Sequence, residues 1–209
     1  EKDTLYNGAK NADVVIHAAT ALPTETKTTE EDWKKNDQVR LTGGRNVLDA
    51  AKEAGADQFI THSVVWAVRA EDGSEIDESS PPNTDRTTES AIEFERVVQN
   101  QLEQTDITAT TLRLGWLYGP ESGQFKNMGE FLADGDLPVI GSGLLGRGDS
   151  TVSLLHTEDA ARAMVTAAEQ DVGGLYHVVD NQPVTTAEFF EEFAAQMGVD
   201  EPSRIPPWI

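Results

Sequence analysis

The sequence predicts an α/β fold with a mostly parallel sheet. Short apolar runs, the kind that form strands buried on both faces, alternate with longer segments whose apolar residues recur at helical spacing. These helical segments are long enough to serve as the right-handed crossovers that parallel strands require. The predicted strands are 13–19, 58–63, 107–114, 152–155 and 175–179.

The predicted helices fill the gaps between these runs. The longest spans 30–54, because it contains no proline and Gly55 suits the position after a helix end; the Gly43–Gly44 pair weakens it. The acidic stretch 71–85 is rich in Gly, Ser and Pro and predicts a surface loop. The remaining helices are predicted at 87–104, at 125–133, from Thr157 onward, and at 185–198, where Thr185 and Glu188 form a capping box.

Composition excludes several classes of protein. The 209 residues include 37 acidic and 16 basic side chains, a net charge of −21, and such a surface repels the phosphates of nucleic acids. No apolar run is long enough to cross a membrane, and no cysteine is available for a disulfide or a thiolate metal site. Dispersed carboxylates are typical of cytoplasmic proteins from salt-loving microbes, which predicts a cytoplasmic protein of a halophile; a merely acidic protein is the alternative.

Seven segments of the chain carry motifs in a fixed order. They are ADVVIHAA (12–19), NVLDAA (46–51), FITHS (59–63), ESSP (78–81), LRLGWLYGP (112–120), LPVIGSG (137–143) and LHTEDAARA (155–163). Together they resemble the extended short-chain dehydrogenase/reductase family, the NAD(P)-dependent epimerases and dehydratases of nucleotide sugars. The resemblance implies a truncated Rossmann-like parallel sheet with helices on both faces and a small C-terminal substrate lobe. It assigns 1–120 to a partial Rossmann-like domain, to which later strands at about 150–180 return, and 121–209 mainly to the lobe.

The resemblance also identifies what the chain lacks. The family opens with a strand, a glycine-rich turn and a helix N-terminus that binds the cofactor pyrophosphate, and Glu1 falls after the point where these elements would end. The glycines at 141, 143 and 146 have G-x-G-x-x-G spacing, but they precede no predicted helix and therefore lack the context of the family's turn. NAD or NADP is the cofactor that the resemblance implies, while the absent glycine motif argues against its binding.

The catalytic pair of the family is also replaced. In the family, a tyrosine and a lysine four residues later lie on the helix after the acidic loop, where the lysine lowers the pKa of the phenol. The alignment of that helix places Thr87 and Ala91 at these positions, and an alignment shifted by two residues gives Asp85 and Glu89. None of these residues supplies the proton relay. We therefore expect no ordinary redox activity and retain Thr87 only as a candidate catalytic residue.

Residues at strand ends provide the remaining catalytic and cofactor candidates. The resemblance implies that Ala18, Ala19 and Ser63 line the nicotinamide. Ser63 also matches the hydroxyl residue that binds substrate in the family, although His62 fits the same register and a hydroxyl that merely ends a strand is the alternative. Because neither a nucleophile elbow nor an orienting acid accompanies His17 and His62, ligand-lining or structural roles are favoured over Ser/His catalysis.

On the substrate side, the resemblance implies roles for Trp116, Tyr118 and Arg147. Trp116 and Leu117 replace an Asn pair that is usual in the family, which predicts a more apolar pocket. Arg147 matches a phosphate-binding arginine, with a surface arginine as the alternative. The four histidines lack the spacing of metal ligands, so we predict no metal site.

The first predicted strand bears on assembly. Strand 13–19 would lie in mid-sheet in the family, and without its neighbour it forms a flat apolar edge, which proteins normally cover or pair. We expect a homo-oligomer through this strand, or a second chain that supplies the missing strands, with a small-molecule ligand and neither nucleic acid nor membrane as partner. Three functions remain open: an epimerase/dehydratase-like protein without ordinary redox activity, a non-catalytic binding or assembly scaffold, and an incomplete fragment of an active enzyme.

Overall fold

The computed structural model describes residues 2–23, 28–70, 74–120, 122–137, 139–140 and 151–205. The chain divides into two compact units. The first, called the sheet unit below, comprises Glu1–Leu114 and Asp159–Val178; the second, called the small unit, comprises Gly115–Glu158 and Val179–Ile209.

The described residues form helices and strands in mixed order along the chain. The helices are α1 (Lys2–Ala9), α2 (Glu30–Asp37), α3 (Gly44–Ala54), α4 (Glu89–Gln104), α5 (Gly123–Ala133), α6 (Thr157–Gln170) and α7 (Thr186–Met197). The strands are β1 (Val14–His17), β2 (Gln58–Val64), β3 (Thr108–Leu114), β4 (Trp116–Tyr118), β5 (Val139–Ile140), β6 (Thr151–Val152), β7 (Leu154–His156), β8 (Gly174–Val178), β9 (Val184–Thr185) and β10 (Arg204–Ile205). None of these helices is both long and apolar enough to cross a membrane.

A four-stranded parallel sheet forms the centre of the sheet unit. Its strand order is β1-β2-β3-β8, and each neighbouring pair runs parallel. Phe59 and Ile60 in β2 are fully buried, which explains why this strand has apolar residues in succession rather than in alternation. The parallel sheet with its helical crossovers confirms the predicted α/β fold.

The predicted helix 30–54 has an interruption that the sequence did not indicate. Helices α2 and α3 are joined by a π-helical segment, Gln38–Gly43, so the chain stays helical but widens for one turn. Such wide turns are frequent at functional sites. Gly44 follows directly, and a Cβ atom at this position would lie 2.4 Å from Phe94 Cζ. The glycine that weakens the helix therefore allows α3 to pack closely on α4.

The apolar core of the sheet unit lies between the sheet and the pair α3 and α4. Its buried members are Leu48, Ala51, Ala56, Phe59, Phe94, Val98, Ile107 and Ala109. Val15 of β1 packs against this core, whereas Ile16 is 43% exposed. Since successive side chains of a strand point to opposite faces, Ile16 lies on the sheet face away from α3 and α4.

The small unit contains short strand pairs and two packed helices. β4 pairs with β7 and β10 with β5, both parallel, while β6 pairs with β9 in antiparallel orientation. The single strand predicted at 152–155 is thus two strands, β6 and β7, with different partners. The predicted capping box at Thr185 and Glu188 is present at the start of α7. Thr157 is the first residue of α6, and the His156 ring accepts the Glu158 N–H, so His156 caps this helix.

Candidate functional site

A group of buried polar side chains lies at the carboxyl ends of the parallel strands. The register pairs His17 with Thr61, Ser63 with Arg113, and Arg113 with His177. Paired residues of parallel strands share a face, and residues two apart on one strand do so as well, so these five side chains lie on one face of the sheet. Helices α3 and α4 cover this face. Val15 and Phe59 pack in the apolar core with these helices, and they stand two residues before His17 and Thr61 on the same strands, so the side chains point the same way.

Helical residues complete this group, which we call the polar layer. It comprises His17, Thr61, Ser63, Arg113 and His177 from the strands, Arg40 from the π-helical segment, and Ser90 and Glu95 from α4. The open end of an α/β sheet at the carboxyl ends of its strands is where ligands bind in such folds. The polar layer is therefore the candidate site of the sheet unit.

The strongest interaction in the polar layer is a buried ion pair. Arg113 Nη2 and Nε donate to the two carboxylate oxygens of Glu95 at 2.7 and 2.9 Å. Arg113 Nη1 also lies 3.3 Å from His177 Nε2, and the His177 N–H donates to Glu78 Oε1 at 2.8 Å. Burial lowers the pKa of the His177 ring, which favours its neutral form beside the guanidinium. The charge of Glu95 is thus matched by Arg113.

Arg40 has no such partner. Only 3% of this residue is exposed, and its Nη1 donates to Ser90 Oγ at 3.4 Å. Among the described residues, no carboxylate oxygen lies within 4.0 Å of the guanidinium. Burial lowers the pKa of Arg40, and the more distant charges of Asp37 and Glu95 act in the opposite direction.

Two histidines near Arg40 are held neutral. The His17 ring lies edge-on to Phe94, with centroids 5.7 Å apart, and its Nδ1 is 3.4 Å from Thr61 Oγ1. Burial lowers the pKa of His17, and it lowers the pKa of His62 to about 4; the positive charge of Arg40 adds to both effects. Near neutral pH, both rings are therefore hydrogen-bonding groups without charge.

Several buried polar atoms in the described residues have no hydrogen-bond partner. Ser63 Oγ is one, on a side chain that is 1% exposed, and the amide Nδ2 of Asn36 is another. The Oδ1 of Asn36 is satisfied, since it accepts from Thr20 Oγ1 and from the Ala21 N–H. Two acceptor atoms, Asp37 Oδ1 and Gln58 Oε1, are also unpartnered. Ser63 and Asn36 thus present free donors at the carboxyl end of the sheet.

The predicted catalytic positions have separate surroundings. Ser63 belongs to the polar layer, whereas Thr87 lies in the turn before α4, where its hydroxyl and N–H donate to Asp85 Oδ1 at 2.5 and 2.9 Å. Ala91 is buried among Val64, Ala67 and Ile92. The helix predicted from 87 accordingly begins at Glu89, because Asp85 holds the preceding residues in a turn.

The cofactor and substrate candidates fall in both units. Ala18 and Ala19 directly follow β1 and are exposed. In the small unit, Trp116 packs against Phe125, while Tyr118 donates to Asp180 Oδ2 at 3.2 Å. Arg147 lies outside the described residues.

A cavity of about 750 Å³ in the small unit is lined by residues of α5 and α7. Its wall is mostly apolar, with Phe125, Phe189, Phe193 and Met197, and Tyr118 and His156 line it as well. The Tyr118 ring stands edge-on to the His156 ring at 5.2 Å. Charged side chains also line it, namely Lys126, Glu130 and Glu192. This cavity suits a ligand with a substantial apolar part.

A metal centre is not found in the part of the chain that the structure describes. No three His, Asp or Glu side chains there come together in an arrangement that could hold an ion. Sequence reasoning offered Ser63 and Tyr118 as candidates, and these stay predictions; it did not single out the buried side chains of Arg40 and Glu95. The signal for Glu95 was available, because Arg113 stands inside a buried strand and a buried charge requires a partner.

Comparisons with known proteins agree on the family. A model of the NAD dependent epimerase/dehydratase family matches residues 4–179. A 3-diazoavenalumate denitrifying reductase from Streptomyces sp is 29% identical over 207 residues, which cover 95% of this chain and 65% of that protein. Human sterol-4-alpha-carboxylate 3-dehydrogenase (decarboxylating) is 25% identical over 222 residues, 100% of this chain and 57% of that protein. The chain thus spans less than two thirds of the length of these relatives.

Solved structures have the same fold. The UDP-glucose 4-epimerase of Thermus thermophilus, in complex with NAD, superposes with a TM-score of 0.79 at 21% identity, over 99% of this chain and 70% of that one. The dTDP-glucose 4,6-dehydratase DesIV of Streptomyces venezuelae, also with NAD, gives 0.80 at 18% identity, over 99% and 64%. The comparisons confirm the resemblance inferred from the seven motifs.

Proposed function

Because the chain belongs to the NAD dependent epimerase/dehydratase family, we propose that it is an epimerase/dehydratase-like protein without ordinary redox activity of its own. Its sheet unit keeps nicotinamide-side residues, and its small unit keeps substrate-side residues. The observation that carries this proposal is the environment of Thr87 and Ala91, which occupy the positions of the family's catalytic tyrosine and lysine. The Thr87 hydroxyl is engaged by Asp85, and Ala91 is buried among apolar side chains. A threonine hydroxyl without a neighbouring cation is a very poor base near neutral pH.

The residues of this chain fit only part of a dinucleotide. Ala18 and Ala19 are small and exposed after β1, and the unpartnered Ser63 hydroxyl is a free donor, which supports a nicotinamide-side role. The one G-x-G-x-x-G spacing of the sequence, at 141–146, precedes no predicted helix, so it lacks the strand–turn–helix context that a pyrophosphate turn requires. A bound NAD or NADP would supply hydride transfer, whereas this chain's residues would orient a ligand by hydrogen bonds and exclude water from the buried layer.

Calorimetric titration of the chain with NAD and with NADP in molar KCl tests this proposal. We expect saturable, weak binding and no hydride transfer to or from the nicotinamide when absorbance is followed with UDP-glucose as a trial substrate. Ser63→Ala should weaken binding, and Ser79→Ala, on the exposed loop of the sheet unit, is the matched control. Redox turnover by the unaltered chain would contradict the proposal.

An assembly role is a second candidate, and the edge strand β1 favours it. Ile16 is 43% exposed on a short, uncharged strand that has a neighbour on one side only among the described strands. Pairing with a second copy, or with a chain that supplies further strands, would cover this edge. Ile16→Lys should convert an oligomer to a monomer in sedimentation velocity, whereas a monomeric unaltered chain would end this candidate. Val15 is unsuited to the test because it packs against the core.

The third candidate is a part of an active enzyme. The two curated relatives are named as a reductase and a dehydrogenase, and the chain spans 65% and 57% of their lengths. Under this reading, the activity belongs to a longer polypeptide, and co-expression with a segment that carries a glycine-rich βαβ unit should yield hydride transfer.

The net charge of −21 supports a cytoplasmic location in a halophilic microbe.

A further inference from the structure

The cavity of about 750 Å³ in the small unit has walls on three sides. Helices α5 and α7 form two of them, and the turn after β4 together with His156 at the end of β7 forms the third. The two helices come close at Gly129, because a Cβ atom at this position would lie 3.2 Å from Met197 Sδ and 3.4 Å from Phe193 Cζ. Cavities of this volume typically hold one small organic molecule.

Aromatic rings cover much of the cavity wall. Phe125, Phe189 and Phe193 contact one another, with ring centroids 5.5 to 6.2 Å apart. The Tyr118 ring lies 6.4 Å from that of Phe125, and its hydroxyl is engaged by Asp180. The faces of aromatic rings carry partial negative charge, so they attract organic cations as well as other rings. This wall therefore favours a ligand that combines a ring system with a positive charge.

The charged side chains of the cavity have a net negative charge. Glu130 and Glu192 line it, and Lys126, one helical turn before Glu130, offsets one of the two carboxylates. The His156 ring adds no charge, because its Nδ1 accepts the Glu158 N–H and therefore carries no proton. Among the described residues, neither carboxylate of the cavity forms an ion pair. One negative charge is thus left for a ligand to match.

We propose that this cavity binds an organic cation, a small molecule with an apolar ring system and a protonated amine. The phenylalanine rings surround its apolar part, and Glu130 and Glu192 attract the amine. A carboxylate or phosphate ligand is disfavoured, because it would bring a third negative charge to the two carboxylates. This inference rests on the proposed function, because Tyr118 is one of its substrate-side residues and the inference names the ligand class of that site.

Calorimetric titration with three probes that share one ring system tests the proposal. Naphthylmethylamine, naphthylmethanol and naphthoate are respectively cationic, neutral and anionic near neutral pH, and the ionic strength is held constant. We expect saturable binding of the amine, binding of the alcohol that is weaker by about fivefold, and binding of naphthoate that is weaker by about tenfold or more.

A first pair of variants tests whether the probes occupy the cavity. Ala133→Phe adds a ring to the wall that α5 contributes, and it should weaken binding of the amine and the alcohol by about tenfold or more. Asn127→Phe is the matched control, because it adds the same ring at an exposed position of α5 outside the cavity lining. It should change the affinity less than twofold.

A second pair of variants tests the charge. Glu192→Gln keeps an oxygen that accepts from Gln196 but removes one negative charge, so it should weaken amine binding by about threefold and leave alcohol binding unchanged. Glu201→Gln makes the same change at an exposed position of the small unit outside the lining, and it should alter neither affinity. The comparison separates the cavity from the negative charge of the whole chain. If Ala133→Phe does not fold, the charge pair still tests the proposal.

Four results would overturn the proposal. They are absence of saturable binding, amine binding that Ala133→Phe leaves unchanged, alcohol or naphthoate binding as tight as that of the amine, and equal effects of Glu192→Gln and Glu201→Gln. Assays of hydride transfer with NAD and NADP in the same samples keep this inference distinct from the proposed function. Absence of amine binding without redox turnover would reject this inference alone, and amine binding together with redox turnover would reject the proposed absence of redox activity alone.

Discussion

The protonation state of single residues sets how this protein responds to acid. Burial lowers the pKa of His62 to about 4, and the charges of Arg40 and His17 act in the same direction, while its ordinary value is 6.5. Because the unfolded chain takes up a proton near pH 6.5 and the folded chain only near 4, the unfolded state binds more protons between these values. The free energy of unfolding therefore falls as the pH decreases from about 6.5 to 4, by roughly 3 kcal/mol in total for this residue.

His62→Gln should remove this part of the acid sensitivity. We expect its free energy of unfolding to decrease less than that of the unaltered chain between pH 7 and pH 4.5. Urea unfolding at the two pH values measures the difference, and the carboxylates common to both proteins cancel in the comparison. An identical decrease in both proteins would show that the His62 ring is protonated in the folded state as readily as in the unfolded state.

The ion pair of Glu95 and Arg113 gives a second residue-scale prediction. Glu95→Gln leaves Arg113 without a counter-ion in the buried layer and also removes the more distant negative charge near Arg40. We expect a loss of about 3–5 kcal/mol in the free energy of unfolding. Glu93→Gln, which breaks the exposed pair with Arg45, is the control and should cost about 0–1 kcal/mol. Equal losses in chemical denaturation would contradict the importance of burial.

At the scale of elements, the contact of α3 with α4 depends on one glycine. Gly44→Ala would normally stabilise a helix by about 1 kcal/mol, but here the added Cβ would lie 2.4 Å from Phe94 Cζ. We expect overpacking to dominate and to lower the free energy of unfolding by about 1–3 kcal/mol. Gly43→Ala is the matched control, since the nearest atom to its Cβ is Gln38 O at 3.9 Å, and it should be neutral or stabilising. Destabilisation of both variants alike would point to the π-helical segment instead.

The elements also divide into those that sequence patterns predict and those that they do not. The strand at 58–63 and the helix at 30–54 were predictable, because few other secondary structures fit a short apolar run or a proline-free segment with helical periodicity. The π-helical segment Gln38–Gly43 was not, since the Gly43–Gly44 pair predicted only a weak point and no residue pattern there distinguishes a π-helical turn from an α-helical one. The division at Ser153 into β6 and β7 was missed for a related reason: strand pairing with distant partners decides it.

The site was predictable in part for the same reasons. Ser63 followed from a motif at a strand end, but its missing hydrogen-bond partner depends on tertiary packing. The burial of Arg40 and the pairing of Glu95 with Arg113 likewise depend on tertiary packing. Local patterns indicate which residues occupy a strand end; they do not indicate which side chains become buried or paired.

For the whole molecule, net charge links stability to assembly. A chain with −21 repels itself in the folded state more strongly than in the expanded unfolded state, and it also repels a second copy. Salt screens both effects, with a Debye length of about 10 Å at 0.1 M and about 3 Å at 1 M. The apolar edge at β1, where Ile16 is 43% exposed, would therefore pair with another copy more readily at high ionic strength.

We accordingly expect the unfolding temperature to rise by several degrees or more between 0.1 M and 2 M KCl. Glycine betaine at matched osmolality is the control, because it changes water activity without screening charge. A smaller net negative charge also weakens this repulsion. Replacing exposed carboxylates such as Glu31 and Glu130 with glutamine should therefore raise the unfolding temperature at constant salt and make it less dependent on the KCl concentration. If instead the unfolding temperature were independent of KCl, self-repulsion would not limit the fold. Any oligomer present at low salt would then form through contacts strong enough to overcome the charge unaided.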